Sequence, residues 1–312
     1  MVAFPPPLKK GGTIGIVAPA CHGCPAWTDK GKALLEKRGY RVVVHPQHKL
    51  RSGQLGGSDK ARAGALMDMF ADPSIDAIIC ARGGNGAIRI IDKLDYKLIK
   101  RNPKPFVGFS DITLLLNAIT RQCGFVTYHG PMMWNFAHPH NPRTVTDMLA
   151  VLGTGAKENW SQAFKVVGAR SGAAEGVLVG GNIALLQSLI ATPNDWSAKG
   201  AILFLEDTEE PFYRVDRMIR HMKHAGKFEG VRAVMVGEMT DMTDGESGIV
   251  GKDQKPYGHS LRQIFTEVLP PDVPLCFNFP CGHGKYLTTF PVGAKVRLKI
   301  KSASAQLSFT RS

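Results

Sequence analysis

Residues 105–119, PFVGFSDITLLLNAI, contain a short apolar run that leads directly into an amphipathic helix. The run ends at Gly108. From Ile112 to Ile119, apolar residues recur at the i, i+3, i+4 and i+7 positions that share one helix face. A strand followed at once by a helix is the building unit of open α/β folds. We therefore expect Ser110 at the carboxyl end of a parallel strand, where such sheets bind ligands.

The same alternation of strand and helix continues on both sides of this unit. In the first half, runs rich in apolar and β-branched residues predict strands at 13–17, 41–45, 75–80, 105–108 and 125–128. A run that is apolar at almost every position is expected where helices cover both faces of a parallel sheet. In the second half, strands are predicted at 176–179, 201–205, 231–236, 274–277, 286–290, 294–300 and 305–309.

These patterns predict an α/β chain of two domains. Residues 1–150 are expected to form a flavodoxin-like or Rossmann-like domain with a parallel sheet, and 151–172 a connecting segment. Residues 173–312 are expected to form a smaller, β-rich α+β domain, because the end of the chain is dominated by strand patterns.

The balance of charged residues and the lengths of the apolar runs limit the kinds of ligand, partner and location that we expect. Lys and Arg outnumber Asp and Glu by 39 to 26, which favours anionic ligands. The basic residues are scattered and no nucleic-acid motif accompanies them, so no nucleic-acid partner is predicted. No apolar run approaches the 20 or so residues that a membrane helix needs. The apolar stretch 13–17 is too short for a signal peptide, and a cytoplasmic location is expected.

Six cysteines do not form a dense disulfide pattern, and reduced thiols are expected. Cys21 and Cys24 form a C-x-x-C pair with His22 between them, which is typical of a redox pair or half of a zinc site. No second C-x-x-C follows. An ordinary loop without metal is therefore the preferred interpretation.

Two strand-to-helix corners are candidates for chemistry. The first is the loop 81–86, ARGGNG, whose glycines allow a ligand to approach the backbone. Arg89 stands where a dinucleotide fingerprint needs its third glycine, which leaves an anion or oxyanion cradle or a plain tight turn. The second corner is Ser110, which is either a helix N-cap or a nucleophile with the Asp111 N–H beside it.

A serine nucleophile needs a base and an acidic group that orients the base. Glu206 and Asp207 follow the apolar strand 201–205, so one of the two is expected at a strand end, where a buried carboxylate must find a partner. His283 lies between two glycines, on backbone typical of a loop. A histidine that is merely exposed or satisfied in the structure is the competing interpretation.

Seven short motifs follow one another along the chain. They are GIVAP at 15–19, RGGNG at 82–86, GFSDIT at 108–113, HGP at 129–131, GGN at 180–182, LED at 205–207 and GHG at 282–284. Each motif alone is weak. In their order and spacing they resemble the LD-carboxypeptidase family of serine peptidases, over roughly residues 10–300.

The resemblance implies a role for each candidate. Ser110 would be the nucleophile, His283 the general base and then acid, and Glu206 the group that orients the imidazole. The backbone N–H groups of Gly84 and Asp111 would hold the oxyanion. The family uses no cofactor and no metal.

The resemblance also implies a substrate. The family hydrolyses the amide between the L-centre of a diamino acid and a terminal D-alanine in cytoplasmic murein tetrapeptides, during peptidoglycan recycling and usually as a homodimer. A murein peptide is thus the predicted partner. The free carboxylate at the scissile end calls for a nearby cation, and Arg82, Lys285 and Arg214 are the basic residues nearest the motifs. The candidate substrate-binding residues are Arg82, Asn85, His129, Asn182 and Lys285.

Asn85 and Phe109 stand where the family pattern has tyrosine, so they affect the expected pocket rather than the catalytic groups.

Two alternatives stay open. One is a hydrolase of the microcin-immunity type, which acts on peptidyl or aminoacyl nucleotides with the same triad. The other is a non-enzymatic α/β protein that binds an anion through the glycine loop and a helix N-terminus.

Overall fold

The computed structural model describes residues 2–138, 143–153, 159–244 and 256–310. The chain divides into two compact units. The first contains residues 1–160, 285–294 and 310–312, and the second contains 161–284 and 295–309.

The elements are numbered here in chain order. The strands are β1 (Thr13–Val17), β2 (Arg41–Val44), β3 (Ala77–Cys80), β4 (Phe106–Gly108), β5 (Thr127–His129), β6 (Asn159–Lys165), β7 (Val167–Arg170), β8 (Gly172–Asn182), β9 (Ala201–Thr208), β10 (Ala233–Thr240), β11 (Leu275–Phe279), β12 (Phe290–Val292), β13 (Lys295–Ile300) and β14 (Ser304–Thr310). The α-helices are α1 (Pro25–Lys37), α2 (Asp59–Ala71), α3 (Tyr96–Arg101), α4 (Thr113–Cys123), α5 (Met133–Ala137), α6 (Arg143–Gly153), α7 (Ile183–Ser188), α8 (Phe212–His224) and α9 (Leu261–Val268).

The sheet of the first unit has the order β12-β5-β4-β3-β1-β2. Its strands run parallel except β12, which is antiparallel to β5. The parallel part therefore has the flavodoxin-like order 2-1-3-4-5, which confirms the predicted fold class. The strand order reverses between β1 and β3, and ligands of such folds bind beyond the carboxyl ends of the strands at that point.

Strand β12 returns to the first unit, where the sequence pattern had predicted a strand of the C-terminal domain. Phe290 pairs with His129 and Val292 with Thr127. The second unit is therefore interrupted at 285–294, in contrast to the predicted domain 173–312. The predicted connecting segment 151–172 contains β6 and β7. Residues 154–158 of this segment lie outside the described residues.

The sheet of the second unit has the order β6-β14-β13-β8-β9-β10-β11-β7. Its centre, β8 to β11, is parallel, whereas β13 and β7 pair antiparallel on its two sides. The unit is rich in strands, as predicted, but a parallel core had not been foreseen. This core places the carboxyl ends of β8, β9 and β10 next to one another.

Local signals explain where the main helices begin. Ser58 accepts a hydrogen bond from the Ala61 N–H at 3.2 Å and starts α2, as its sequence predicts. In α4 the apolar stripe is buried, and the helix ends at Gly124 in the left-handed conformation.

Throughout the described ranges, no helix is both long and apolar enough to cross a membrane.

Candidate active site

Ser110 occupies a strained corner between β4 and α4. Its φ angle is 59°, in the left-handed region that non-glycine residues seldom enter. Such a conformation costs about 1–3 kcal/mol and persists only where the surrounding structure enforces it. Serine nucleophiles of α/β hydrolases stand on strand-to-helix turns of this kind.

Ser110 is not a helix cap. The short 3-10 turn Ser110–Ile112 has Phe109 at its N-cap, and α4 has Ile112, without a capping hydrogen bond from either side chain. The N-cap interpretation of Ser110 is therefore wrong. The hydroxyl is held at the corner for a reason other than capping.

The glycine loop after β3 lies against this serine. A Cβ atom at Gly83 would lie 3.1 Å from Ser110 Oγ and 3.3 Å from the Phe109 carbonyl oxygen, so only glycine fits comfortably. Gly84, the predicted oxyanion donor, has a φ of 101° and leaves room for the Cys21 thiol. The loop therefore approaches the hydroxyl through backbone alone, and its closest residue is Gly83.

Asp111 joins the two corners. Its Oδ2 accepts a hydrogen bond from the Ala87 N–H at 2.8 Å, and the side chain is only 3% exposed. Burial raises the pKa of Asp111 to about 6, although the Ala87 N–H and the charge of Arg62 act in the opposite direction. The carboxylate thus anchors the start of the 3-10 turn Ala87–Arg89 to the serine corner.

Arg62 holds the glycine loop from the other side. Its side chain is completely buried, and Nη1 donates to the carbonyl oxygens of Pro19 and Gly86 at 2.7 and 2.8 Å. Nη2 donates to Asp59 Oδ1 at 2.5 Å. These bonds from the buried guanidinium hold the loops after β1 and β3 in one arrangement, although among the described residues its Nε has no hydrogen-bond partner.

Replacement of Arg62 by Met is expected to lower the free energy of unfolding by about 3 kcal/mol, because two buried carbonyl groups lose their charged donor and Asp59 loses one of its two arginine partners. Urea unfolding measures the change. Arg89→Met is the matched control, since Arg89 pairs with the same Asp59 at 2.9 Å but is 60% exposed. The control is expected to lower the free energy of unfolding much less, because solvent screens this exposed ion pair. Equal losses in the two variants would contradict this role for Arg62.

In the second unit, Glu206 and His283 form a buried pair. Glu206 lies on β9 with no exposed side chain, and its Oε2 accepts from His283 Nδ1 at 2.9 Å. Among the described residues, Glu206 Oε1 has no hydrogen-bond partner. The carboxylate therefore orients the imidazole through Nδ1, and Nε2 is the other ring nitrogen.

The surroundings make His283 a stronger base. Burial lowers the pKa of His283, but the charge and hydrogen bond of Glu206 outweigh it, and Asp207 and Glu209 add to the effect. The net result is a pKa above the ordinary value of 6.5.

Asn182 and Asp207 pair at this strand edge. Asn182 Nδ2 donates to Asp207 Oδ1 at 2.8 Å, and Asn182 Oδ1 caps α7 by accepting from the Leu185 N–H. Burial and the charge of Glu206 raise the pKa of Asp207 to about 7. The side chain of Asn182 therefore has a structural role as a helix cap, and its substrate-binding role stays a prediction.

The other predicted substrate-binding residues lie in different surroundings. His129 has no exposed surface, and its ring stacks on Phe290 at 5.1 Å with Phe109 edge-on at 6.0 Å, so it belongs to the core. Asn85 donates to Gln54 Oε1 at 2.7 Å. Arg82 is partly buried with Cζ 5.8 Å from the Trp27 ring centroid, and Lys285 is exposed.

Sequence reasoning missed one residue of this region, Glu238 on β10. It lies beside the turn 282–284, and burial raises its pKa to about 7. An acid near the end of a strand pattern looks like an ordinary outward residue, so no local signal singled it out.

The C-x-x-C pair does not take part in a metal site within the described ranges, where no three His, Cys, Asp or Glu side chains are grouped as ligands. All six cysteines are free thiols. Cys21 is buried beneath Gly84, and Cys24 precedes α1.

The described geometry thus contains two groups of candidate residues, one in each unit. Family models match both: residues 14–130 match the LD-carboxypeptidase N-terminal domain and 175–298 the LD-carboxypeptidase C-terminal domain. The chain belongs to the LD-carboxypeptidase family. It is therefore a serine-type carboxypeptidase, and the non-enzymatic alternative no longer applies.

Relatives within the family carry two different names. A "Probable murein peptide carboxypeptidase" of Bacillus subtilis (strain 168) is 33% identical, over 96% of this chain and 93% of the relative. The Microcin C7 self-immunity protein MccF of Escherichia coli is 25% identical, over 97% of this chain and 94% of its own. The crystal structure of muramoyltetrapeptide carboxypeptidase from Oxalobacter formigenes superposes with a TM-score of 0.84 at 25% identity, over 96% and 98% of the two chains.

Proposed function

We propose that this carboxypeptidase releases the terminal D-alanine of a murein tetrapeptide. The bond broken is the amide between the L-centre of a diamino acid and D-alanine. The observation that carries the proposal is the hydrogen bond between buried Glu206 and His283 Nδ1, because a carboxylate on this ring nitrogen orients the imidazole and stabilises its protonated form. The names of the relatives in Bacillus subtilis and Oxalobacter formigenes support the substrate class.

In the proposed reaction, Ser110 Oγ attacks the scissile carbonyl carbon while its proton passes to His283 Nε2. Glu206 keeps the other ring nitrogen protonated and stabilises the imidazolium that forms. The N–H groups of Asp111 and Gly84 receive the developing oxyanion. Protonated His283 then gives its proton to the leaving nitrogen of D-alanine, and a water activated by His283 hydrolyses the acyl-enzyme on Ser110.

Recognition of the terminal carboxylate is assigned to Arg82 in this proposal. Arg82 immediately precedes Gly83, which lies against Ser110, and its contact with Trp27 restricts the side chain. Of the other two candidate cations, Arg214 is paired with Glu210 at 3.1 Å and Lys285 is exposed. A planar guanidinium also suits bidentate binding of a carboxylate.

The test is an assay of D-alanine release by the purified protein. Murein tetrapeptide is compared with the same peptide ending in L-alanine and with an aminoacyl sulfamoyl nucleotide. We expect kcat/KM for the D-alanine peptide to exceed that for the L-alanine peptide by about 100-fold or more, because the wrong stereocentre misplaces either the carboxylate or the carbonyl. Hydrolysis of the nucleotide alone would favour the second candidate, a hydrolase of the microcin-immunity type, which the likeness to a structure of MccF in complex with aspartyl sulfamoyl adenosine suggests.

A cytoplasmic location, a role in peptidoglycan recycling and a homodimer complete the proposal. Their support is the family to which the chain belongs. Light scattering on the purified protein tests the dimer, for which twice the mass of one chain is expected and a single-chain mass would be contrary. Fractionation of cells that express the tagged protein tests the location.

A further inference from the structure

Glu238 contacts the turn that carries His283 on both sides of the histidine. The three nearest heavy atoms to a Cβ placed on Gly284 all belong to the Glu238 carboxyl group. A Cβ placed on Gly282 would lie 2.6 Å from the main-chain oxygen of Glu238. A side chain at either glycine would therefore collide with Glu238.

Both glycines are required for space rather than for an unusual backbone conformation, because neither has a φ in the left-handed region. The pattern Gly-His-Gly suggests mobile backbone when it is seen only in the sequence. In the folded unit it instead allows the turn to pack closely on β10, with His283 between the two contacts.

Glu238 is one of four carboxyl groups whose charges interact with the imidazole of His283, together with Glu206, Asp207 and Glu209. Burial raises the pKa of Glu238 to about 7, and the negative charge of Glu206 raises it further. The N–H groups of Gly282 and Gly284 act in the opposite direction. Among the described residues, Glu238 Oε2 has no hydrogen-bond partner. The hydrolytic steps above use Glu206 and leave Glu238 without a task.

We propose that Glu238 is a positioning residue: its contacts with Gly282 and Gly284 fix the turn so that His283 Nδ1 stays on Glu206, and its negative charge acts on the imidazole. The inference deepens the proposed function and rests on it. The other ionisable groups that face Glu238 or His283 are Glu206, Asp207, Glu209 and Cys281.

The first measurement needs no substrate. The His283 ring is titrated by NMR in the wild type and in Glu238→Gln, with His283→Gln used to assign its resonance. Removal of a neighbouring negative charge disfavours the imidazolium, so the pKa of His283 is expected to fall by about half a unit or more. This readout stands even if the tetrapeptide proves not to be the substrate.

The second measurement is kinetic. Glu238→Ala removes the carboxyl group that packs on Gly284, and we expect kcat to fall by about 10- to 100-fold with KM changed by less than about twofold. Glu238→Gln preserves the shape and should retain most of kcat. In Glu238→Gln, the fall of kcat/KM at low pH should occur at a lower pH than in the wild type. The displacement should equal the change in the pKa of His283 measured by NMR.

Glu175→Gln is the matched control, because Glu175 is an exposed acid on β8 of the same unit. It should change neither the titration nor kcat. A folded Glu238→Ala protein with wild-type kcat, or a Glu238→Gln protein with an unshifted His283 titration, would overturn the proposal. If Glu238→Ala fails to fold, the Glu238→Gln titration decides alone.

Discussion

The Ser110→Ala variant is expected to retain no more than about one thousandth of the wild-type kcat, because the attacking atom is removed. The fold should be preserved, since the change deletes one oxygen and leaves the backbone at the same φ. Turnover of tetrapeptide and urea unfolding measure the two quantities. A variant with most of its activity would show that another group attacks the substrate.

Ser110→Gly separates the strain at this corner from its chemistry. Glycine adopts a φ of 59° without steric cost, so this variant should be inactive yet at least as stable as Ser110→Ala. Ser260→Ala is the contrasting control. Ser260 caps α9, and its loss should cost about 1 kcal/mol of stability while kcat stays at the wild-type level.

Glu206→Gln is expected to lower kcat by about 10³- to 10⁴-fold, the scale of a carboxylate-to-amide change at the orienting position of a serine triad. The amide keeps the shape of the side chain but no longer stabilises the imidazolium or fixes the proton on Nδ1. Because Glu206 raises the pKa of His283, its replacement should also lower that pKa.

The pH profile checks the sign of this effect. In the wild type, kcat/KM should fall as pH drops through the raised pKa of His283, since the protonated ring cannot accept the serine proton. In Glu206→Gln the residual activity should persist to lower pH. Glu267→Gln, an exposed acid paired with Arg220, is the control and should leave both rate and profile unchanged. A profile that does not move in Glu206→Gln would contradict the pairing.

Much of the fold was predictable because its signals are local. The stripe from Ile112 to Ile119, the cap at Ser58 and the apolar runs of the first sheet are readable within one or two turns of chain. The position of β12 in the first sheet could not be predicted. Its partner is β5, more than 150 residues earlier, and pairing at such a distance leaves no local pattern in the sequence.

The residues of the candidate site likewise fall into two groups, those that local sequence signals indicate and those that only the folded structure reveals. Ser110, Glu206 and His283 were candidates by their positions at strand ends and in a loop, and the resemblance carried by all seven motifs together assigned their roles. The burial of His129 and the helix cap made by Asn182 depend on the folded structure and could not be predicted from their motifs. Glu238 was overlooked because a clash with two absent Cβ atoms is visible only in three dimensions.

The central claim is that Ser110 and His283 act as one catalytic unit, and a double-mutant cycle tests it most directly. kcat for the tetrapeptide is measured in Ser110→Ala, His283→Ala and the double variant. If the two residues cooperate, either change alone removes the same mechanism, and the double variant should be about as slow as the slower single variant. Losses that multiply in the double variant would show independent roles and contradict the account.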